Sequence, residues 1–311
     1  MRKLHKSLQA LGANVELNIP MSERMHYRIG GNADILVTCE DVETLSATVR
    51  LLHASAVPWL AVGDGTNLLF TDQGFRGVVL TLGKGFSYIS ELNCNGSTLL
   101  RVGGATPKAE VVDYAARNGL EGLLFMTGIP GRMSGGAAMN AGTKYGSMSD
   151  AVSCIRTVAP DGTLQSFNRS GINREYRSSL VPENHVVYDM DLRVSPGDAN
   201  TLMSEVRAIL AQRGEKQPLH KPSCGSTFKN PEGHSAGRLI EASGLKGTRR
   251  GGAVISDKHA NFILNEDGAS AADVIELIET AKSIVMEKWN VPLYEEVIII
   301  GPHGPVNQHK H

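Results

Sequence analysis

Five glycines within fifteen residues constrain the fold of this chain more than any other feature. The stretch runs from Gly128 to Gly142, and small residues separate its glycines. A loop that only packs on a core has no need of so many positions without a side chain, whereas a backbone that closely approaches a pyrophosphate does. Glycine-rich stretches are also ordinary turns. Both interpretations stay open, and the density of glycines favours ligand binding.

A second glycine-rich segment, Gly63 to Asn67, directly follows a predicted strand at 59–62. Backbone N–H groups in such a segment converge on an anion. The segment is not a P-loop, and it is incomplete as a dinucleotide fingerprint because Leu68 stands where glycine or alanine is required. Taken alone, the segment is more simply explained as a turn than as a binding site. Together with the first segment it favours a long ligand with a diphosphate in its middle.

The balance of charges narrows the class of partner. The 311 residues include 31 Lys and Arg and 32 Asp and Glu, for a formal net charge of −1. Nucleic acids and anionic membranes demand a basic excess, so neither is expected as a main partner. No apolar run approaches the length of a bilayer span, and the basic N-terminus lacks the apolar run of a signal peptide.

The four cysteines, at positions 39, 94, 154 and 224, are widely spread. None forms a C-x-x-C pair or stands at zinc-binding spacing to a histidine, so no metal site is predicted. Free thiols are typical of a reducing cytoplasm. The tail at 308–311 is expected to be disordered, with its two histidines solvated rather than bound to a metal.

The apolar pattern predicts strands and helices that mix without strict alternation, which favours an α+β fold over a doubly wound sheet. We place the main domain boundary near residue 200. The predicted strands lie at 33–37, 59–62, 77–82, 98–102, 185–194, 253–256, 261–265 and 295–300, with a hairpin at 153–167, and the predicted helices at 41–53, 107–118, 199–213, 236–243 and 270–288.

The segment from Pro222 to Pro231 carries the clearest chemical signal. It places the hydroxyl of Ser226 next to a glycine and close to Lys229, which suits a proton donor or a nucleophile. Ser226 to Lys229 also satisfies the S-x-x-K pattern of acyl-serine enzymes, but that chemistry requires the serine to open a helix. Asn230-Pro231 breaks a helix, and the companion K-T-G motif is absent, so this alternative is disfavoured.

Two further candidates are ordinary in isolation. Arg177 stands beside small polar residues, where it is either a surface arginine or a planar clamp for a carboxylate. Glu295 and Glu296 precede an apolar run. Because alternate residues of a strand face opposite sides, only one of these glutamates is expected to point at a site.

These motifs occur in one order along the chain, and in that order the chain closely resembles the UDP-N-acetylenolpyruvoylglucosamine reductase (MurB) family of peptidoglycan synthesis. The resemblance runs from about residue 20 to Gly301 and includes the segments 27–34, 63–67, 128–142, 176–179, 225–231 and 296–297. The chain resembles the shorter type of this family, since the stretch between Arg177 and the helix at Ala199 leaves no room for the tyrosine-bearing substrate loop of the longer type.

The resemblance implies a fold and a set of ligands. The fold is a vanillyl-alcohol-oxidase/p-cresol-methylhydroxylase-type FAD-binding region at 1–200, split near 75–80, followed by a smaller α+β substrate-binding domain at 201–302 and a tail at 303–311. FAD is expected to be non-covalent, because Gly63 to Asn67 offers no His, Cys or Tyr for attachment. NADPH and UDP-N-acetylglucosamine enolpyruvate are the implied substrates, in a bacterial cytoplasm.

The resemblance also implies roles for single residues. Ser226 matches the proton donor to C2 of the substrate, and Arg177 and Glu296 match the residues that stabilise the charge developing on its carboxylate. Glu296 is expected to act as a protonated donor or by orienting Arg177. Lys229 and Asn230 are expected to contact the substrate. The residues expected to contact FAD are Gly63, Asp64, Gly65, Thr66, Asn67, Gly128, Ile129, Pro130, Gly131, Ser134, Gly135, Ala137, Asn140, Ala141 and Gly142.

Two other functions remain as alternatives. One is a flavin oxidase or dehydrogenase for a different substrate, and the other is a non-catalytic protein that binds a flavin or a nucleotide sugar. The joint presence of Arg177, Ser226 and Glu296 argues against both. A further expectation concerns Cys224. If the segment is extended, the Cys224 and Ser226 side chains point the same way, and alkylating reagents reach the thiol.

Overall fold

A computed structural model describes residues 1–94, 96–175 and 178–307. The chain forms two compact units, each built from separate stretches of sequence. The first unit contains Met1–Glu16, Leu36–Gly63 and Val79–Gln212, and the second contains Leu17–Ile35, Asp64–Val78 and the chain from Arg213 onward. The predicted domain division, near residues 75–80 and 200, stays a prediction.

The elements mix strands and helices, as an α+β fold requires. The helices are α1 (Arg2–Ala10), α2 (Val42–Ala54), α3 (Lys108–Arg117), α4 (Met133–Ala138), α5 (Met148–Ala151), α6 (Ala199–Lys216), α7 (Ala236–Ala242) and α8 (Ala271–Trp289). The strands are β1 (Asn14–Pro20), β2 (Asn32–Cys39), β3 (Trp59–Ala61), β4 (Leu68–Phe70), β5 (Phe75–Leu82), β6 (Ile89–Cys94), β7 (Ser97–Gly103), β8 (Leu120–Glu121), β9 (Gly142–Thr143), β10 (Gly146–Ser147), β11 (Val152–Val158), β12 (Leu164–Asn168), β13 (Val186–Arg193), β14 (Ser195–Pro196), β15 (Arg249–Arg250), β16 (Ala253–Ile255), β17 (Ile263–Asn265), β18 (Ile298–Gly301) and β19 (Gly304–Pro305). Strands β1, β2, β5 and β3 form a four-stranded sheet in that order.

The first unit is organised around a five-stranded antiparallel sheet with the order β12-β11-β13-β7-β6. Strand alternation sends apolar side chains such as Leu100, Ile155 and Met190 into one buried core. The charged residues between them lie on the opposite face of the same strands. The sheet therefore has an apolar face and an ionic face.

Four charged residues form a network on the ionic face. The Arg156 guanidinium donates to Asp189 at 2.6 Å and to Asp191 at 2.5 Å, and Arg101 donates to Asp191 at 2.8 Å. The Tyr88 hydroxyl donates to Asp189 at 2.8 Å. Burial would raise the pKa of Asp191, but the hydrogen bonds from Arg101 and Arg156 outweigh it, so the pKa lies below its usual value.

The second unit has two small sheets, β15-β16-β17 and β19-β18-β4, and the long helix α8. Strand β4 pairs in parallel with β18, from Leu68 opposite Ile298 to Phe70 opposite Ile300. Ser270 and Asp273 form a capping box at the start of α8, which satisfies two of the N–H groups left open at a helix N-terminus. The buried face of α8 packs into the core of this unit.

Most predicted elements are present, and two differ in an informative way. The glycine cluster at 128–142 is not all loop, because the six residues of α4 lie inside it. The strand predicted at 295–300 begins only at Ile298. Within the part of the chain that the structure describes, no helix is both long enough and apolar enough to span a membrane.

Candidate active site

The segment that carries Ser226 lies in the second unit and is held by its backbone. Gly225 has a φ of +71°, a conformation that glycine adopts without strain, and turns the chain just before Ser226. The next two residues are bonded to Asn261. The Thr227 N–H donates to the Asn261 carbonyl at 2.8 Å, and the Phe228 N–H donates to Asn261 Oδ1 at 2.9 Å. Ser226 therefore stands on a fixed piece of backbone.

Glu296 lies on the chain segment that pairs with the Ser226 segment. Phe228 stands opposite Glu295, and the N–H groups of Glu296 and Val297 share the carbonyl of Thr227 at 2.8 and 3.3 Å. Two consecutive residues opposite one partner is the pattern of a β-bulge, which redirects side chains and is frequent next to active sites. Regular strand pairing begins after the bulge, where Ile298 pairs with Leu68 of β4.

The two neighbouring glutamates have different environments. The Glu295 side chain is 4% exposed, and its carboxylate accepts a hydrogen bond from Lys282 at 2.9 Å. Glu296, by contrast, is a half-buried residue, and it lies next to the Ser226 segment. Glu295 thus holds α8 against this segment through Lys282, and Glu296 remains the glutamate predicted to act in the site.

The segment predicted to hold the cofactor at 63–67 supports Glu296 as well. The Asn67 side-chain amide donates to the Glu296 carbonyl at 3.0 Å, and the Asn67 carbonyl accepts from the Ile298 N–H at 3.0 Å. Gly65 has a φ of +62°, and a Cβ there would lie 2.2 Å from Met25 Sδ. The turn from Asp64 to Asn67 is therefore tightly packed within the second unit, whereas Gly63 belongs to the first unit.

The glycine cluster of the first unit is held by hydrogen bonds at both ends of α4. The Met133 N–H donates to Thr106 and the Ser134 N–H to Gly104. After the helix, Asn140 bonds with both ends of its side chain, accepting from the Ser149 N–H at 3.0 Å and donating to the Glu175 carbonyl at 2.9 Å. Asn140 therefore holds this segment in shape.

A cavity of about 120 Å³ lies in the first unit beside the N-terminal half of α4. Its walls are apolar or small, and its polar lining comes from Ser134, Gly135, Ser179 and His185. The remaining lining residues are Ala61, Val62, Gly63, Leu80, Leu82, Ala138, Val181, Val186 and Val187. A Cβ at Gly135 would have no heavy atom within 4 Å, so a side chain there would take up cavity space. Three predicted cofactor residues, Gly63, Ser134 and Gly135, therefore share one concave surface.

The cavity also shows residues that the sequence did not single out. His185 Nδ1 lies 2.9 Å from the Thr157 hydroxyl, and burial lowers the pKa of His185 against a smaller opposing effect of Asp161. Lys108 is 3% exposed, and its Nζ donates to the Arg132 carbonyl at 3.2 Å. A buried lysine side chain thus lies under the glycine cluster. Lys108 was missed because a lysine at the start of a predicted helix is ordinary in sequence.

The other predicted residues make local contacts, and their roles toward ligands stay predictions. Lys229 donates its N–H to the Tyr294 carbonyl at 2.9 Å, and Asn230 Oδ1 accepts from the Ala236 N–H at 3.1 Å. Gly128 and Gly131 have φ values of +75° and +89°. The remaining ones, Ile129, Pro130, Ala137, Ala141 and Gly142, border α4 or lie in it. Arg177 lies outside the described residues, and its role stays a prediction.

The expectation for Cys224 is wrong. Because Gly225 has a positive φ, the segment is not extended between Cys224 and Ser226. The Cys224 side chain turns inward, is 5% exposed and donates to the Leu68 carbonyl at 3.0 Å. Burial raises the pKa of the thiol well above its usual value.

Across the described residues there is no cluster of three or more His, Cys, Asp or Glu placed to hold a metal ion.

Two known families match this chain. The family described as UDP-N-acetylenolpyruvoylglucosamine reductase, C-terminal domain, matches residues 217–300, where Ser226 and Glu296 lie. The family described as FAD binding domain matches residues 33–168, which contain both glycine-rich segments.

Whole-chain relatives agree with these matches. The UDP-N-acetylenolpyruvoylglucosamine reductase of Clostridium botulinum strain Hall is 37% identical over 289 residues, which cover 93% of each chain. That of Clostridium perfringens strain SM101 is 36% identical over the same length. The crystal structure of UDP-N-acetylenolpyruvylglucosamine reductase (MurB) from Thermus caldophilus superposes with a TM-score of 0.79 at 32% identity, covering 92% of this chain and 99% of that one.

A more distant likeness concerns the fold alone. A variant of berberine bridge enzyme described as a reticuline dehydrogenase superposes on 63% of this chain with a TM-score of 0.50 at 14% identity. The comparisons together confirm the predicted α+β fold with an FAD-binding region.

Proposed function

The chain belongs to the UDP-N-acetylenolpyruvoylglucosamine reductase family, and we propose that it reduces UDP-N-acetylglucosamine enolpyruvate to UDP-N-acetylmuramate with NADPH as the donor. It is an FAD-dependent oxidoreductase of peptidoglycan precursor synthesis. When bound, FAD carries the hydride from NADPH to C3 of the enolpyruvyl double bond. The residues of this chain then have to stabilise charge on the substrate and deliver a proton to C2.

One observation carries the proposal. The Glu296 N–H and the Thr227 carbonyl, joined over 2.8 Å, place the backbones that bear Ser226 and Glu296 side by side. A proton donor and a charge-stabilising group are useful only at a fixed spacing from one substrate. The bulge at Glu296 and Val297 and the turn at Gly225 supply that spacing from residues far apart in sequence.

The roles follow from the chemistry of each side chain. Addition at C3 moves negative charge through C2 onto the substrate carboxylate. Arg177 is proposed to meet this charge with a guanidinium, and Glu296 to donate a hydrogen bond or to orient Arg177. Ser226 is proposed to protonate C2. A serine hydroxyl is a weak acid, so Lys229 or a water chain is expected to assist it.

The cavity of about 120 Å³ is too small for a whole FAD, and its lining suits one part of the cofactor. Gly135 leaves open space where any other residue would carry a Cβ, and the cavity beside it combines apolar walls with a few polar groups, as sites for aromatic cofactors do. Gly63, Ser134 and Gly135 line it, and the buried side chain of Lys108 supports the backbone nearby through its hydrogen bond to the Arg132 carbonyl. We propose that these residues hold FAD, and that the other glycine-rich positions do so through their backbone N–H groups.

Flavin spectroscopy tests the proposal directly. The purified protein should show the absorption bands of an oxidised flavin, and acid precipitation should release the flavin into the supernatant. Anaerobic NADPH should bleach these bands. UDP-N-acetylglucosamine enolpyruvate should then restore them, with formation of UDP-N-acetylmuramate detected by mass spectrometry.

Each negative outcome has a distinct meaning. Flavin that stays on the precipitated polypeptide contradicts non-covalent binding. A flavin that NADPH does not bleach points to a binding protein. Bleaching without recovery on addition of the enolpyruvyl sugar points to a flavin enzyme with another substrate.

A further inference from the structure

A buried asparagine holds the backbone directly after Ser226 with three hydrogen bonds. Asn261 Oδ1 accepts from the Phe228 N–H at 2.9 Å, and Asn261 Nδ2 donates to the Phe228 carbonyl at 2.8 Å. The Asn261 carbonyl accepts from the Thr227 N–H at 2.8 Å. The side-chain amide thus pairs with Phe228 as a neighbouring strand would. Both polar groups of Phe228 are satisfied by one side chain.

The surroundings of Asn261 make this contact rigid. Asn261 is 4% exposed, Phe228 is 2% exposed and Thr227 is 5% exposed, so no water competes for these hydrogen bonds. The Asn261 N–H donates to His259 Nδ1 at 3.2 Å, and the core strand β17 follows at Ile263. Asn261 is therefore anchored on both sides and is able to impose its position on the Ser226 segment.

The opposite side of the same segment is bonded to Glu296. Thr227 donates its N–H to Asn261 and accepts the Glu296 N–H on its carbonyl. A single residue, adjacent to Ser226, thus connects the asparagine to the glutamate. Any shift of Asn261 changes the spacing between Ser226 and Glu296, although Asn261 itself is buried beneath the segment.

We propose that Asn261 is a positioning residue for proton transfer: it fixes the Ser226 hydroxyl relative to Glu296 and does no chemistry of its own. The inference rests on the proposed function of Ser226. Supporting shells of this kind hold a reacting group to within a fraction of an ångström. The residue did not stand out in the sequence because it only opens the strand predicted at 261–265, and asparagine is an ordinary residue where a turn meets a strand.

The first test separates the two halves of the reaction in the flavin-loaded enzyme. Anaerobic stopped-flow absorbance measures flavin reduction by NADPH and reoxidation by UDP-N-acetylglucosamine enolpyruvate. Asn261→Ala should slow reoxidation at saturating substrate by about 10- to 100-fold, the effect of misplacing a reacting group by about 1 Å. Flavin reduction should keep the parent rate, because it needs no proton at C2.

The second test asks whether Asn261 acts through Ser226. In a double-mutant cycle, residues that act as one unit give losses that do not add. Once Ser226→Ala has removed the donor, adding Asn261→Ala should slow reoxidation by less than about 3-fold more. A merely structural asparagine would instead slow both backgrounds by the same factor.

Asn265 offers a matched control in the same unit. Its side chain also makes three hydrogen bonds, to the Ala269 N–H and to the carbonyls of Tyr27 and Arg28. None of these reaches the Ser226 segment. Asn265→Ala should lower the thermal unfolding midpoint as Asn261→Ala does, with reoxidation close to the parent rate.

Asn261→Asp keeps the side-chain volume and the oxygen that accepts from the Phe228 N–H, but it loses the N–H that donates to the Phe228 carbonyl. If Asn261→Ala does not fold, Asn261→Asp takes its place in both tests. The proposal is overturned if Asn261→Ala and Asn261→Asp slow both half-reactions equally, if they slow reoxidation no more than Asn265→Ala, or if the double-mutant losses multiply. A parent enzyme that does not turn over the enolpyruvyl sugar, or a Ser226→Ala enzyme with normal reoxidation, overturns the proposed function instead.

Discussion

The side-chain amide of Asn67 donates to the backbone carbonyl of Glu296 over 3.0 Å. The Asn67 carbonyl accepts in turn from the Ile298 N–H, so Asn67 as well as Thr227 holds the bulge that carries Glu296. A glycine-rich turn that the sequence linked only to the cofactor therefore also holds the residue for which we propose charge stabilisation. The relationship gives the first prediction.

Replacing Asn67 with alanine should disturb Glu296 without unfolding the protein. The loss of one partly buried hydrogen bond should cost about 1 kcal/mol of unfolding free energy. Reoxidation by the enolpyruvyl sugar should slow by about 10-fold, because Glu296 is less well placed. Stopped-flow absorbance and chemical denaturation measure the two effects. Asn307→Ala is the comparison, since Asn307 bonds Ile299 and Val297. An equal slowing would show that loosening the strand anywhere suffices.

Replacing Ser226 with alanine should separate the two half-reactions. Reduction of the flavin by NADPH should proceed near the parent rate, while reoxidation should slow by about 10²- to 10⁴-fold, the usual contribution of a positioned general acid. Rapid mixing under anaerobic conditions resolves the two steps. If flavin reduction alone is slowed, or both steps equally, Ser226 serves NADPH or the structure, and its role as proton donor has to be abandoned.

The sequence was sufficient for the motifs and for most elements, but not for the contacts that join them. Ser226 stood out because its hydroxyl lies next to a glycine and close to Lys229, whereas Glu296 was singled out only through the resemblance to the reductase family. Asn261 did not stand out, because its function exists only once β17 places it beneath Phe228. The helix α4 was missed because its glycines are poor helix formers, and tertiary bonds from Met133 and Ser134 hold it. Cys224 was misjudged because a single φ at Gly225 reverses the direction of its side chain.

Cys224 should resist alkylation in the folded protein. Its thiol is buried and bonded to Leu68, and burial raises its pKa, so little reactive thiolate forms. The half-exposed Cys154 should be modified before the buried Cys224. Peptide mass spectrometry after timed labelling measures both, with urea-unfolded protein as the control. Cys224→Ser should turn over close to the parent rate. A serine variant slowed as much as Ser226→Ala would contradict a purely structural role.

The ionic face of the five-stranded sheet should contribute stability that depends on pH. Arg156→Met leaves Asp189 and Asp191 without their shared partner and should cost about 3 kcal/mol near neutral pH, as breaking a buried pair does. The folded-state pKa of Asp191 is lowered. Its contribution is therefore present above the unfolded-state pKa of about 3.9 and is lost as the pH falls through the folded-state value.

The difference in unfolding midpoint between parent and Arg156→Met should thus be large near pH 7 and should narrow below about pH 4. Thermal melts across this range measure it. Arg117→Met is the matched control, because the Arg117–Asp113 pair is exposed and worth little. A gap that stays constant with pH would mean that Arg156 contributes through packing rather than charge.

Gly135 gives the sharpest test of the cofactor cavity, because stability and binding should move in opposite directions. It lies in α4, and a Cβ there meets no heavy atom within 4 Å. Gly135→Ala should therefore keep or raise the thermal stability of the flavin-free protein, since alanine is favoured over glycine in a helix by about 1 kcal/mol. The added methyl group takes up space in the cavity, and overpacking at the cofactor should weaken FAD binding by about 10-fold or more. Fluorescence titration of the flavin-free protein measures the dissociation constant.

Gly214→Ala is the control. Gly214 is a helical glycine on α6 that also has open space around it and does not line the cavity. This variant should gain stability and bind FAD as the parent does. Equal FAD affinity in both variants would place the cofactor elsewhere than against this face of α4.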